Sequence, residues 1–203
     1  MTTRTPMRRA ALATVAATAA LVLAACGGGD GSGHAVHGAS AAPSASGSIA
    51  HNAQDVAFAQ GMIPHHQQAL EMARLAADRA SSAQVKDLAT RIEKEQDPEI
   101  RTMTGWLTAW GEQVPMAGMD HSGHSGMPGM MSDADMTKLK KAEGKDFDTM
   151  FLSLMVEHHQ GAVEMAGTEK TKGAYGPART LADAVVTAQN AEIKEMKKLL
   201  GTG

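Results

Sequence analysis

Met155-Val156-Glu157-His158-His159-Gln160-Gly161-Ala162-Val163-Glu164-Met165-Ala166 lies 93 residues downstream of a near copy, Met62-Ile63-Pro64-His65-His66-Gln67-Gln68-Ala69-Leu70-Glu71-Met72-Ala73. The same offset carries Asp55 to Asp148, Phe58 to Phe151, Leu88 to Leu181 and Leu107 to Leu200. It also carries Gln96, Glu99 and Ile100 to Gln189, Glu192 and Ile193. An ungapped duplication of this length means that one supersecondary unit is used twice, and that the fold comes from packing the two copies together.

Each copy reads as two helices. In the first, Val56, Phe58, Met62, Ala69, Met72 and Ala73 recur at helical intervals, with Asn52 as N-cap and Asp55 near the positive helix end. This predicts a helix over about 53–78, with Gly61 and Pro64 interrupting it and a kink or bulge just before His65. Ser81-Ser82 starts a second helix that runs to Trp110, where Gly111 stops it. Its stripe is Val85, Leu88, Ala89, Ile92, Ile100, Met103, Leu107 and Trp110, and Gln96 and Glu99 lie within it. A third helix is expected from Asp133 to Thr171, with a break near Gly144, and a fourth from Ala178 to Leu200 after the turn Gly173-Ala174-Tyr175-Gly176-Pro177. No strand-like alternation occurs. Two hairpins (51–111 and 133–201), each with one apolar stripe, predict an all-α, antiparallel four-helix bundle with a long linker at 112–132.

The ends point to export. Arg4, Arg8 and Arg9 precede an apolar run from Ala10 to Ala25 that closes on Leu23-Ala24-Ala25-Cys26. This has the order of a signal peptide (residues 1–25) and is too short to span a membrane. Its ending resembles a bacterial lipobox, in which Cys26, the only cysteine, would be lipidated and anchor the protein to the membrane. Residues 26–50, rich in Gly, Ser, Ala and Pro, read as a flexible tether. Loss of three arginines leaves 16 basic against 22 acidic residues, a mature charge of about −6 with His neutral. An acidic, aromatic-poor chain lacks the basic stripe that nucleic acid requires.

Antiparallel hairpins place residues of constant number sum side by side. A first turn near Ala80-Ser81 sets His65 level with Gln96, His66 with Glu95 and Met62 with Glu99. The duplication repeats this for His158 with Gln189 and Met155 with Glu192. The expectation is a polar layer of four histidines (His65, His66, His158, His159) across an aliphatic bundle. Gln96, Glu99, Gln189 and Glu192 support it, and Met62, Met72, Met155 and Met165 flank it. Adjacent histidines point about 100° apart on a helix, so one of each pair can face inward while the other meets a neighbouring helix. The bland alternative is a hydrogen-bonded polar core with methionine as filler. The linker adds Met116, Met119, His121, His124, Met127, Met130 and Met131 among Gly, Ser and Asp, where no core accounts for methionine.

Thioether with imidazole selects monovalent copper, and silver would take the same ligands. Structural zinc favours Cys with His, and no free Cys would remain. A di-iron centre needs Glu-x-x-His pairs, whereas Glu71 and Glu164 follow the histidines by five to six residues. No triad, phosphate loop or reactive thiol appears, so no enzyme activity is expected.

The paired Phe-x-x-x-Met-x-x-His-His-x-x-Ala-x-x-Met-Ala segments, with Gln-x-x-Glu-Ile-x-x-Met downstream, resemble the bacterial family known as domain of unknown function 305. The resemblance covers about residues 51–201. It implies a ferritin-like bundle and, for some members, copper binding and resistance. It supports Met62, His65, His66 and Met72 with Met155, His158, His159 and Met165 as ligands. The linker ligands and the lipobox lie outside the family motif. The leading expectation is an exported, lipid-anchored protein that sequesters copper or exchanges it with a donor or acceptor protein. A scaffold with a structural His/Gln core and a copper or iron oxidase are the rivals.

Overall fold

Among the described residues five helices form, four of them where the duplicated pattern places them. The computed structural model describes residues 50–116 and 127–202. Helix α1 (Ala53–Arg79) opens on a capping box: the Asn52 side chain accepts from the backbone N–H of Gln54 and Asp55, and the Asp55 carboxylate accepts from Asn52 N–H. Helix α2 (Ala83–Trp110) is capped by the Ser82 hydroxyl and ends at Gly111, whose φ of 73° suits a residue without Cβ. The expected third helix is split into α3 (Asp133–Lys141) and α4 (Gly144–Lys172). The chain is extended at Ala142 and Glu143, and Gly144 takes φ +60°. Helix α5 (Gly176–Leu200) begins two residues earlier than expected, because Pro177 sits in its first turn, where the missing N–H has no helical partner to lose.

The interruption expected at Gly61 and Pro64 does not occur, for α1 is continuous across both. Proline removes one backbone bond from the ladder, and α2 tolerates Pro98 in the same way. The rest of each long helix is anchored by packing that offsets the loss.

A reciprocal exchange locks the two copies together. The Asp148 carboxylate on α4 accepts from Ser81 N–H (3.1 Å), Ser82 N–H (3.0 Å) and the Ser81 hydroxyl in the α1–α2 turn. The Asp55 carboxylate on α1 accepts from Ala174 N–H (3.1 Å) and Tyr175 N–H (2.9 Å) in the α4–α5 turn. Ser81 and Ser82 map onto Ala174 and Tyr175 under the offset of 93. Each repeat's aspartate therefore closes the other repeat's turn, which fixes α1 and α4 antiparallel. Arg91 on α2 reaches Glu195 on α5 at 2.6 Å across the opposite side.

The apolar core falls into two clusters. One gathers Phe58, Met62, Ile63, Met103, Leu107, Ala162, Ala166, Ala182 and Val185 near the start of α1. The other gathers Met72, Ala76, Leu88, Ile92, Leu139, Phe147, Phe151, Met155 and Met196 near its end. Fully burying one such large side chain contributes about 1.5–3 kcal/mol. No described helix is long and apolar enough to cross a membrane. The expected signal peptide (1–25), Cys26 and the expected tether up to residue 49 lie outside the described residues.

One buried acid carries a pH dependence. Glu169 on α4 is fully buried beside Asp55. Burial, then the hydrogen bond to Asp55 and its charge, pushes the Glu169 carboxyl up to about 8. Burial raises Asp55 as well, but hydrogen bonds from Glu169 and from the N–H groups of Asn52, Tyr175 and Ala174 outweigh it and bring Asp55 below the usual carboxylate range. Glu169 thus keeps a proton that the unfolded chain releases near 4.5. The stabilisation is complete below that pH and is lost as pH rises through the folded value. Above pH 7, past the unfolded-state titration of the buried histidines near 6.5, thermal melts are expected to show Tm falling toward pH 8, and Glu169→Gln to flatten that slope.

Candidate metal centre

Between the two apolar clusters lies the histidine layer. His65 and His66 sit midway along α1, His158 and His159 midway along α4, and all four are at most 1 % exposed. Because the two helices are antiparallel, the inward members meet: the rings of His65 and His158 have centroids 3.8 Å apart and planes tilted by 42°. The second members turn outward to the flanking helices. His66 Nε2 lies 2.7 Å from Glu99 Oε2 on α2, and His159 Nε2 lies 2.7 Å from Glu192 Oε2 on α5. These bonds are the same contact in the two repeats. Glu99, one turn beyond Glu95, is the partner of His66, because the side chains lean along the helix and do not reach straight across.

A ring that donates Nε2–H to a carboxylate presents a bare Nδ1, the arrangement found behind metal-ligating histidines. His66 Nδ1 and His159 Nδ1 are buried without a hydrogen-bond partner, as are His65 Nδ1 and both nitrogens of His158. Gln96 Oε1, Gln189 Oε1 and Glu192 Oε1 share that condition. Eight of the eleven such atoms among the described residues thus belong to this one layer. Buried polar atoms are normally paired, and one left alone costs about 1–3 kcal/mol. A layer so rich in unpaired lone pairs fits a bound cation.

Electrostatics agree. Burial, then the neighbouring His66 and His159, pushes His65 down to about 3 against the lesser pull of the Pro128 carbonyl. Burial, then the other three histidines with His65 foremost, pushes His158 well below the usual range against the lesser pull of the His65 backbone carbonyl. Both rings are therefore neutral at physiological pH and hold their lone pairs ready.

Thioethers lie on both sides of the layer. Met62 and half-buried Met165 belong with the first apolar cluster, Met72 and Met155 with the second. Each side combines one methionine from the front of the motif with one from the back, as antiparallel packing of identical motifs requires. Among the described residues no three His, Cys, Asp or Glu side chains are arranged around one ion. The donor set on hand is imidazole supplemented by thioether, which is soft.

The linker is only partly the loose chelator its composition suggests. Met119, His121 and His124 lie outside the described residues. Met116 is 61 % exposed, as expected of it. Met127, Met130 and Met131 are instead half-buried, and Met131 packs against the second cluster. The chain from Met127 to Met131 crosses the α1–α4 seam beside the histidines. His65 Nε2–H donates to Pro128 O at 3.2 Å. A Cβ placed on Gly61, one turn before His65, would meet Met165 Cε at 3.1 Å and Met127 Sδ at 3.6 Å. This strap was not expected; its signal was Gly161, a mid-helix glycine of the kind that marks a close approach.

Residues 55–200 match the family profile described as Domain of unknown function (DUF305). Solved structures are similar over most of the chain. A DUF305 protein of Streptomyces coelicolor, described as secreted, is 37% identical over 73% of this chain and 92% of its own, with a TM-score of 0.66. A DUF305 fragment from Deinococcus radiodurans is 33% identical over 74% and 97%, with a TM-score of 0.67. CopM in its Cu(II)-bound form is 36% identical over 72% and 95%, with a TM-score of 0.64, and has also been solved in Cu(I)-bound and Ag-bound forms. A search of curated proteins finds no match.

Proposed function

The chain belongs to the DUF305 family, and from its histidine layer we propose that it is an exported, lipid-anchored copper-binding protein. It sequesters monovalent copper, or passes it to or from a partner protein, at the outer face of the cytoplasmic membrane, and so serves copper homeostasis or resistance. The observation that carries this reading is the set of unpartnered imidazole nitrogens on His65, His66, His158 and His159, with thioethers of Met62, Met72, Met155 and Met165 on either side. Imidazole and thioether together favour Cu(I) and would accept Ag(I). The similar fold of CopM, with its copper- and silver-bound forms, supports the same metals. Leu23-Ala24-Ala25-Cys26 supports the anchor.

Glu99 and Glu192 orient the outward histidines, and Gln96 and Gln189 supply buried amide oxygens at the same height. Nothing in this arrangement calls for turnover, and we assign binding without catalysis. A purely structural core would leave the eight orphaned atoms of the layer unexplained.

A ligand that binds only the folded protein stabilises it, by about 2.7 kcal/mol at a free concentration 100 times Kd. Differential scanning of the soluble domain with Cu(I) held by a competing chelator is expected to raise Tm by several degrees, and Zn(II) to do much less. An equal response to both metals, or to neither, would refute a soft-metal site.

A further inference from the structure

The strap 127–131 is seated by contacts that involve both repeats. A Cβ on Gly161 of α4 would stand 2.0 Å from Pro128 O and 2.7 Å from Gly129 Cα, so only glycine admits the strap there. Gly129 itself takes φ +76°, and a Cβ on it would come within 2.8 Å of the Glu157 and His158 carbonyls. On α1, the Gln68 amide clasps Met131 twice, donating to its carbonyl at 3.0 Å and accepting its N–H at 2.7 Å. Gln68 and Gly161 occupy the same repeat position, 93 residues apart. The duplication has thus diverged at one position into a clasp on one helix and a gap on the other.

What this seat places over the site is a backbone acceptor. We propose that the strap decides which nitrogen of His65 meets the metal: by accepting Nε2–H, the Pro128 carbonyl holds the ring in the tautomer whose Nδ1 carries the lone pair, and Met127 brings a further thioether to the same side. Which ring nitrogen ligates is set by the hydrogen bond the other makes. His66 and His159 receive that setting from Glu99 and Glu192. His65 receives it from the strap, and His158, which bonds neither the strap nor a carboxylate, has no such partner. The strap therefore makes the two inward histidines unequal in an otherwise two-fold site. Pro128, Gly129, Gly161 and Gln68 are positioning residues in this scheme.

The inference rests on the copper reading, and its test separates the two. In the full chain, Gly161→Ala expels the strap while favouring the helix it sits in, since alanine is the better helix former; Gln68→Ala removes the clasp without touching that helix. Nitrogen-15 spectra of the metal-free protein read the His65 tautomer directly. Wild type is expected to show Nε2 protonated and Nδ1 bare, and both variants to show a mixture. First-site Cu(I) affinity is expected to fall about 10- to 100-fold, as for loss of an outer partner of a ligating histidine. Either a wild-type His65 spectrum or wild-type affinity in both variants overturns the strap's role. Failure of the wild-type protein to take up Cu(I) would overturn the copper reading alone, since the metal-free His65 spectrum still judges the strap.

Discussion

Leucine at both 65 and 158 is expected to eliminate tight copper binding and to leave the metal-free bundle at least as stable as before. The two rings meet at 3.8 Å and bring three unpartnered nitrogens into the core. Removing such a buried atom recovers about 1–3 kcal/mol, and leucine fills a comparable volume. The loss of the His65 bond to Pro128 takes back part of this gain. Copper affinity moves the other way, since two imidazole donors vanish together. A loss greater than about 100-fold is expected, beyond the range typical of outer partners.

The pair also sets an acid limit. With their folded values depressed, His65 and His158 contribute stability that is present above the unfolded value of 6.5 and is lost as pH falls, for His65 down to about 3. His65→Leu/His158→Leu should resist acid better over that window. Chemical denaturation at pH 7 and pH 5, beside Cu(I) titration, reads both effects. A double variant that is much less stable and binds copper as well as wild type would reverse the assignment.

Asp148→Ala has the largest expected effect on the fold itself. Its carboxylate receives two backbone N–H groups and a hydroxyl from the turn of the other repeat, and it is 9 % exposed. Hydrogen bonds to a charged acceptor contribute about 1.5–3 kcal/mol each, and removing the acceptor strands the donors. These bonds share one carboxylate and are not additive, so a destabilisation of about 3–4 kcal/mol is expected. For a domain of this size that lowers Tm by about 6–16 °C. Asp55→Ala, at the equivalent position, should act in the same direction. A Tm within 2 °C of wild type in the Asp148→Ala melt, a shift of about 1 kcal/mol or less, would show that the exchange does not hold the hairpins together.

The sequence makes the repeat and its consequences legible, but hides contacts that use the backbone. The offset of 93 sets the two turns at Ala80–Ser82 and Gly173–Tyr175, and with them the bounds of α1, α2, α4 and α5. The pairing of Asp55 with Asp148 is visible in the alignment, but their role is not, because their partners are turn N–H groups that leave no mark on side-chain pattern. The 100° step between neighbouring helical positions correctly assigns one histidine inward and one outward in each pair. It does not say which carboxylate the outward ring reaches, since Glu95 and Glu99 differ by one turn only. The strap is the least legible part. Its seat is a missing Cβ at Gly161 and a carbonyl at Pro128, set in a segment whose composition suggests nothing but a loose chelator.

We assign the tight copper site to the bundle's histidine layer and not to the linker. The most direct test is a competition titration of Cu(I) into residues 51–203 with Met119, His121 and His124 all replaced by serine and the layer and strap left intact. The same first-site affinity as the unaltered domain is expected, with only weaker, later equivalents lost. Disappearance of the tight site would contradict this assignment and return the histidine layer to a structural role.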